Sequence, residues 1–202
     1  MVSPTATEDK GYPPVSGISL QLPLNVSLRD DATLANYYPG HNAQVLAGVQ
    51  RLAARVGDPV LYLWGGRGAG KSHLLQAACH AAAAEGAAVA YLPLIPLRTV
   101  PPAVLDGLER LDVVCIDDVE AVAGRDDWEA ALFHLFNRCR DGNYRLALAG
   151  AAPPGLMPLD LAYLRSQVAA GPVFQVHGID DAQLTEALQM RAARRGLELP
   201  ED

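Results

Sequence analysis

The chain has 202 residues, of which 50% are hydrophobic and 19% charged, and its formal net charge is -7. These values are typical of a globular protein with a substantial buried core, and the acidic charge disfavours DNA binding through the overall electrostatic field. No apolar run approaches the ~20 residues of a membrane span, and residues 1–17 contain no apolar signal-peptide core, so we expect a soluble cytoplasmic protein.

The first 28 residues divide into two segments. Residues 1–17 are rich in Pro, Gly, Ser and Thr, which predicts a disordered tail. Residues 18–28, ISLQLPLNVSL, alternate apolar and polar side chains around a proline. This pattern fits either an edge strand or an extended peptide.

From residue 42 onward, apolar runs typical of buried strands alternate with segments of helical periodicity. Helices are predicted at 43–56 with Asn42 as the N-cap, at 71–85, at 101–109, at 126–142 ending at Gly142, and from Asp180 or Asp181 to residue 195; strands are predicted at 59–64, 87–94, 111–118, 144–150 and 172–176. This order predicts an α/β fold with a parallel five-stranded sheet and helices on both faces.

We therefore expect a nucleotide-binding core at 29–178 and, at 179–202, the first helix of an incomplete helical lid. A single terminal helix cannot bury its apolar face alone, so it packs back on the core or belongs to a longer helical domain. The nearby Arg191, Arg194 and Arg195 are best interpreted as a solvated helix C-terminus, with a local basic patch as the alternative.

The three cysteines, Cys79, Cys115 and Cys139, lie in separate apolar runs without metal-binding spacing. This arrangement predicts buried free thiols in a reducing compartment. Lys71 is one of only two lysines beside 14 arginines, which indicates a site that requires a compact ammonium group.

Lys71 belongs to the pattern Gly65-x-x-x-x-Gly70-Lys71-Ser72, which follows a predicted strand and opens a predicted helix. In this context glycines allow backbone N–H groups to surround phosphates, the lysine binds the β- and γ-phosphates, and the serine hydroxyl binds Mg²⁺. The alternative is an ordinary Gly-rich turn. The strand, the spacing, the lysine and the serine together favour a phosphate-binding P-loop.

The apolar run LDVVCIDD at 111–118 matches the strand that carries the second motif of P-loop proteins. Asp117 is expected at the carboxyl end of this strand, close to the Mg²⁺ of Ser72. Asp118 is the candidate catalytic residue that polarises the attacking water, with a cap of the following turn as the alternative.

The stretch GAGKSHLLQAACH resembles the P-loop of the DnaA-type AAA+ ATPases. A fuller resemblance is to the Hda family of DnaA-homologous regulators, and it runs in order from about Leu20 to Asp202. The segments that carry it are QLPLNV, YYPGHN, YLWGGRGAGKSHLLQAACH, VLDGLERLDVVCIDDVEAVAG, WEAALFHLFNR, LALAGAAPP and LQMRAARRGLELPED.

The resemblance implies an adenine nucleotide, ADP or ATP, bound with Mg²⁺. In the family the segment that matches NYYPGHN lines the adenine pocket, so Tyr37 or Tyr38 would pack on the base, although simple hydrophobic packing of both tyrosines remains the alternative. The implied nucleotide contacts are Tyr38, Gly40, Gly65, Gly66, Arg67, Gly68, Ala69, Gly70, Lys71, Ser72 and His73.

The same resemblance implies two protein partners, the replication sliding clamp and DnaA, with a homodimer as a further option. Members of the family bind the clamp through an N-terminal peptide and promote hydrolysis of ATP on DnaA, which is a negative regulation of replication initiation. The implied clamp-binding residues are Gln21, Leu22, Leu24 and Val26. Sequence-specific DNA binding is not expected.

Three parts expected for catalysis depart from the family pattern. Ala149 and Ala151 stand where polar sensor residues are expected, and Gln167 stands where an arginine finger is expected. The nearest arginine, Arg165, is two positions away, which rotates a helical side chain by ~200°. The lid residue that senses the γ-phosphate would lie beyond Asp202.

We therefore expect a nucleotide-binding regulator with little ATPase activity of its own. Three alternatives remain: a competent ATPase or helicase-loader-like motor, an adaptor that has abandoned nucleotide or DnaA inactivation, and a DNA-binding initiator.

Overall fold

The computed structural model describes residues 28–160, 162–194 and 196–197. Five parallel strands form the central sheet, in the order β2-β3-β4-β1-β5. They are β1 (Val60–Trp64), β2 (Val89–Pro93), β3 (Val113–Asp117), β4 (Arg145–Gly150) and β5 (Val173–Gln175). The predicted α/β fold with a five-stranded parallel sheet is confirmed.

Helices cover both faces of this sheet. They are α1 (Ala43–Ala53), α2 (Lys71–Ala84), α3 (Leu94–Leu97), α4 (Asp126–Asp141), α5 (Ala162–Ala169) and α6 (Asp181–Arg194). Because successive strand residues point to opposite faces, Leu61 and Leu63 pack under α1 and α2, whereas Val60 and Tyr62 pack under α4 and α5. None of the described helices is long and apolar enough to cross a membrane.

The segment 101–109, predicted as one helix, forms two short 3₁₀ turns at Pro102–Leu105 and Leu108–Arg110. Gly107 lies between them with φ of 85°, a left-handed conformation that a continuing helix does not contain. The predicted strand at 87–94 ends at Pro93, where α3 begins.

The start of α1 also differs from the prediction. Asn42 makes no side-chain capping hydrogen bond to the helix. A 3₁₀ turn at Gly40–Asn42 leads directly into α1, and the Asn42 side chain instead contacts the backbone of His177. The helix ends at Ala53 rather than at residue 56, because Arg55 adopts φ of 60°.

Helix α6 begins with a reciprocal pair of hydrogen bonds. The N–H of Gln183 donates to Oδ1 of Asp180 at 2.8 Å, and the N–H of Asp180 donates to Oε1 of Gln183 at 3.4 Å. This is a capping box with Asp180 as the N-cap, which decides between the two aspartates that the sequence offered.

Candidate functional site

The glycine-rich loop connects β1 to α2 at the carboxyl edge of the sheet. A Cβ at Gly65 would lie 2.3 Å from the carbonyl oxygen of Val176, so only glycine allows this close approach. Gly70 has φ of 103°, and a Cβ there would meet the ring of Tyr37 at 3.1 Å. Both glycines are thus required by the path of the loop itself.

Lys71 lies inside this loop, with only 9% of its surface exposed. Its ammonium donates to the carbonyl oxygens of Gly65 at 2.7 Å and Gly66 at 3.0 Å. A buried lysine that is bonded only to neutral carbonyls has no anionic partner in these contacts. The group is therefore placed to bind an anion within the loop.

The two aspartates lie at the end of β3, as their positions in the apolar run predicted. Asp117 is 1% exposed and accepts two hydrogen bonds, one per oxygen: Oδ2 from the Tyr91 hydroxyl at 2.9 Å and Oδ1 from the N–H of Asp118 at 3.0 Å. These two bonds fix the orientation of the carboxylate.

Asp118 has φ of 57°, a left-handed conformation that is uncommon outside glycine. Burial raises the pKa of Asp118 to about 6; the charges of Asp117 and Glu120 act in the same direction, and the Lys71 ammonium opposes them. The loop lysine and the acids of β3 therefore interact within one site.

Tyr91 is a site residue that the sequence analysis missed. It stands on β2, next to β3 in the sheet, two residues before the position that pairs with Asp117. Burial, followed by the Asp117 charge, raises the pKa of Tyr91 well above its usual range. The only signal in the sequence is one hydroxyl-bearing side chain in an otherwise apolar strand.

A cavity of about 160 Å³ adjoins the glycine-rich loop. Three parts of the chain enclose it: the segment 36–42 before α1, called the tyrosine segment below; the glycine-rich loop with the start of α2; and α6 with Ile179, which lies two residues before it. Its lining is Tyr37, Tyr38, Gly68, Ala69, Gly70, His73, Ile179, Leu184, Ala187, Leu188 and Arg191. The cavity is thus apolar on the α6 side, with one arginine at its border.

Both tyrosines that the sequence offered line this cavity, in different ways. Tyr37 is buried and packs on the His73 ring, with ring centroids 5.5 Å apart. The Tyr38 hydroxyl donates to the Glu186 carboxylate on α6. Gly40 has φ of 45°, and a Cβ there would press on Tyr38 and Gln183. The tyrosine segment is therefore in contact with α6.

The remaining predicted contacts lie around this loop. Gly66, Arg67 and Ser72 are exposed, and the Nε2 of His73 lies 2.9 Å from the carbonyl oxygen of Thr33. Arg191 also donates from Nε to the carbonyl oxygen of Asn36 at 3.4 Å. One of the three clustered arginines thus borders the cavity rather than lying free in solvent.

Side chains of α2 hold the chain that leads into the tyrosine segment. The N–H of Arg29 donates to Oε1 of Gln76 at 2.9 Å, and Nε2 of His80 lies 3.0 Å from the Arg29 carbonyl oxygen. Since a carbonyl oxygen can only accept, Nε2 of His80 is the donor in this contact. The backbone at Arg29 is fixed to the same helix that begins at the glycine-rich loop.

The expected sensor position at the end of β4 carries small side chains. Ala149 is fully buried and Ala151 is exposed. The N–H of Ala151 donates to Oε2 of Glu120 at 3.2 Å, so an acidic side chain that the sequence analysis did not consider lies at this edge.

The two residues of α5 that the sequence analysis considered for an arginine finger each make a hydrogen bond within the chain. Arg165 is partly buried, and its Nη1 donates to the carbonyl oxygen of Leu159 at 2.5 Å. Oε1 of Gln167 accepts from Nη1 of Arg140 at 2.9 Å.

The three cysteines are free and buried, as predicted. The residues proposed for clamp binding, Gln21, Leu22, Leu24 and Val26, lie outside the described residues, as does Arg195.

No protein-family model matches the chain. Among solved structures, it is similar to AMPPCP-bound DnaA from Aquifex aeolicus, at 23% identity and a TM-score of 0.73, over 86% of this chain and 58% of that one. Domain III of Thermotoga maritima DnaA is 24% identical, with a TM-score of 0.74, over 87% and 79% of the two chains. A DnaI structure is 16% identical, with a TM-score of 0.55, over 77% and 87%.

The chain thus spans little more than half the length of the Aquifex aeolicus DnaA structure. The chain shares its α/β fold with domain III of Thermotoga maritima DnaA.

Proposed function

We propose that this chain binds an adenine nucleotide, ADP or ATP, and acts as a regulator of the initiation of DNA replication. The observation that carries the proposal is that one cavity is bordered by the glycine-rich loop, the tyrosine segment and α6. Tyr38, Leu184 and Leu188 offer aromatic and aliphatic surface for a base, while Lys71 lies in the adjoining loop.

Mg²⁺ fits the donors at this site. Ser72 offers a hydroxyl at the start of α2, and Asp117 offers a carboxylate at the end of β3; hard oxygen ligands of this kind are those that Mg²⁺ uses together with substrate phosphates. Bound there, the ion would neutralise phosphate charge. Asp118 remains our candidate for the group that polarises an attacking water.

Calorimetry with ADP, ATP and GTP tests this proposal. We expect Lys71→Ala to abolish binding of both adenine nucleotides, because the loop then lacks its cation, and GTP to bind more weakly than ATP. Lys10→Ala, which removes the other lysine of the chain, is the matched control and should bind as the wild type does. Full affinity in Lys71→Ala would show that the loop is only a structural turn.

We further propose that residues 18–28 bind the replication sliding clamp. The support is the resemblance of QLPLNV to the clamp-binding peptide of the Hda family, together with the ability of an extended peptide to place Gln21, Leu22, Leu24 and Val26 in a groove. A peptide of these residues should bind the clamp at a Kd near 1 μM, about -8 kcal/mol.

Replacement of Gln21 or Leu24 by alanine should weaken this binding by ~1–2 kcal/mol, the scale of a buried anchor. Asn25→Ala, at a neighbouring polar position, is the matched control. Equal binding by all of these peptides would contradict the clamp proposal, while the nucleotide proposal would stand.

DnaA is the second proposed partner, with inactivation of its ATP form as the outcome. The resemblance to the Hda family supports it, and the exposed Tyr163 on α5, with the exposed Leu156 in the turn before it, offers apolar surface for a second AAA+ protein. The test is ATP turnover by DnaA with clamp-loaded DNA, in the presence and absence of this protein. Unchanged DnaA turnover, with clamp binding intact, would leave an adaptor without inactivating activity.

A homodimer through the same surface is the alternative assembly. Light scattering with nucleotide present, combined with cross-linking to DnaA, separates the two. Leu156→Asp should weaken whichever contact forms, and monomers alone in both measurements would end the assembly proposal.

A further inference from the structure

The hydroxyl of Tyr91 is the side-chain donor to the buried carboxylate of Asp117. Oδ2 of Asp117 accepts from that hydroxyl at 2.9 Å, and Oδ1 accepts from the N–H of Asp118 at 3.0 Å. With one bond on each oxygen, the plane of the carboxylate cannot rotate without breaking a hydrogen bond. Each oxygen still keeps a free lone-pair direction, because a carboxylate accepts about four hydrogen bonds or metal contacts.

Tyr91 is the donor and Asp117 the acceptor in this bond, because a hydroxyl carries a proton to donate and a carboxylate oxygen accepts. The hydroxyl therefore orients the carboxylate without adding a charge to the site.

The same hydroxyl also lies beside Ser72. The side chains of Ser72 and Gln76 on α2 are neighbours of Tyr91, and their hydrogen-bonding acts against the rise of its pKa. Ser72 and Asp117 are the two residues assigned here to Mg²⁺, and they come from different elements, α2 and β3. Tyr91, on β2, thus lies next to both of them.

We propose that Tyr91 is a positioning residue of the Mg²⁺ site: its hydroxyl orients the Asp117 carboxylate beside Ser72, so that the ion meets ligands already in place. The inference rests on the proposed nucleotide binding. Tyr91 contacts neither the nucleotide nor the reacting atoms in this scheme. Groups that orient a metal ligand in this way typically contribute 10- to 100-fold to metal affinity.

Calorimetric titration of ADP in EDTA and at increasing Mg²⁺ tests the proposal on wild type and Tyr91→Phe. In the wild type, Mg²⁺ should tighten ADP binding. In Tyr91→Phe, the Mg²⁺ concentration that gives half of this tightening should rise by roughly 10- to 100-fold. The ADP affinity in EDTA should equal that of the wild type, because the phosphate-binding loop and the base cavity are unchanged.

Tyr62→Phe is the matched control. Tyr62 stands on β1, is 1% exposed, and donates its hydroxyl to the carbonyl oxygen of Ala152 at 2.7 Å. The substitution also removes one buried tyrosine hydroxyl from the sheet, but this hydroxyl is bonded to Ala152 and not to Ser72 or Asp117. Its Mg²⁺ requirement should match that of the wild type.

A double-mutant cycle with Asp117→Asn establishes whether Tyr91 acts through Asp117. Asp117→Asn alone should abolish most of the tightening by Mg²⁺, and adding Tyr91→Phe should then have no further effect. Additive losses would show that Tyr91 acts elsewhere and would overturn the proposal.

The remaining outcomes are equally decisive. A wild-type Mg²⁺ requirement in Tyr91→Phe, or an equal loss of ADP affinity with and without Mg²⁺, would overturn the positioning role while nucleotide binding stands. If Mg²⁺ does not tighten ADP binding by the wild type, the positioning role is overturned in the same way, and nucleotide binding stands. No ADP binding by the wild type in either condition would end the proposed function and this inference together.

Discussion

The side-chain amide of Asn42 holds the backbone of His177 through two hydrogen bonds. Nδ2 donates to the His177 carbonyl oxygen, and Oδ1 accepts from the His177 N–H, both at 2.8 Å. Asn42 is 2% exposed and precedes α1, whereas His177 lies between β5 and α6. The pair therefore attaches the segment that leads to α6 to the core of the fold.

Removal of this amide should destabilise the protein. Asn42→Ala removes both hydrogen bonds to His177, and a typical intramolecular hydrogen bond contributes about 0.5–1.5 kcal/mol net. We expect a loss of roughly 2 kcal/mol in the free energy of unfolding, measured with urea. Gln44→Ala, on the exposed side of α1, is the control and should change stability by less than about 0.5 kcal/mol. An equal effect of both substitutions would contradict this role of Asn42.

Glu129 should be a second position of high sensitivity. It is 1% exposed, and its Oε1 accepts from the N–H groups of Gly124 at 2.8 Å and Asp160 at 3.1 Å. Glu129→Ala should lower the free energy of unfolding by about 2–4 kcal/mol. Glu129→Gln keeps an acceptor oxygen and should cost less; a glutamine variant as unstable as the alanine variant would show that the charge, rather than these two bonds, stabilises the fold.

The purified protein should release phosphate from ATP at less than ~0.1 per second, well below the ~1 per second of a working ATPase. Ala149 and Ala151 cannot orient a water, and Arg165 is bonded to the Leu159 carbonyl oxygen. Each missing donor removes ~3–4 kcal/mol of transition-state stabilisation. A steady-state assay with Lys71→Ala subtracted as background measures this, and a faster Lys71-dependent rate would show that another group supplies the missing charge.

The three cysteines should be unreactive in the folded protein. Burial raises the pKa of Cys139 from 9.0 to about 11, and a hydrogen bond with Cys79 together with burial raises that of Cys115 well above its usual range. At pH 8 a thiol with a pKa of 11 is thiolate in only about one molecule in a thousand. A thiol reagent should therefore titrate three groups in denaturant and almost none before unfolding.

The same shift gives a pH dependence. The pKa of cysteine is near 9 in the unfolded chain, whereas that of Cys139 in the folded protein is about 11. The contribution of this thiol to the free energy of unfolding is therefore fully present below pH 9 and is lost as the pH rises from 9 to 11. Cys139→Ala should reduce the slope of stability against pH between 9 and 11; an unchanged slope would assign it to other groups.

The sheet and the position of the glycine-rich loop were predictable because their signals are local. The run from Val60 to Trp64 is continuous and apolar, as a strand buried on both faces must be, and the glycines, Lys71 and Ser72 follow it at fixed spacing. The same holds for Asp117, whose place at the end of β3 follows from the length of one apolar run.

The contacts of Tyr91, Asn42 and Arg29 were not predictable in this way. Tyr91 meets Asp117 because β2 pairs with β3 in a particular register, and Asn42 meets His177 across 135 positions of the chain. The sequence around a helix-capping residue or a strand tyrosine is the same whether or not the side chain contacts a residue far along the chain. Asn42 therefore bonds to His177 instead of capping α1, and the pattern of apolar residues along α1 gives no sign of this.

Helix α2 has one more consequence, since Ser72, Gln76 and His80 occupy successive turns on one side of it. Eight residues of α-helix extend about 12 Å, and more than half of the residues of α2 are buried. Gln76 and His80 hold both backbone groups of Arg29 at the far end of this row. The Arg29 amide is bonded to Gln76, four residues and about 6 Å along the helix axis from Ser72. Its rate of hydrogen exchange would therefore report a displacement of the start of α2.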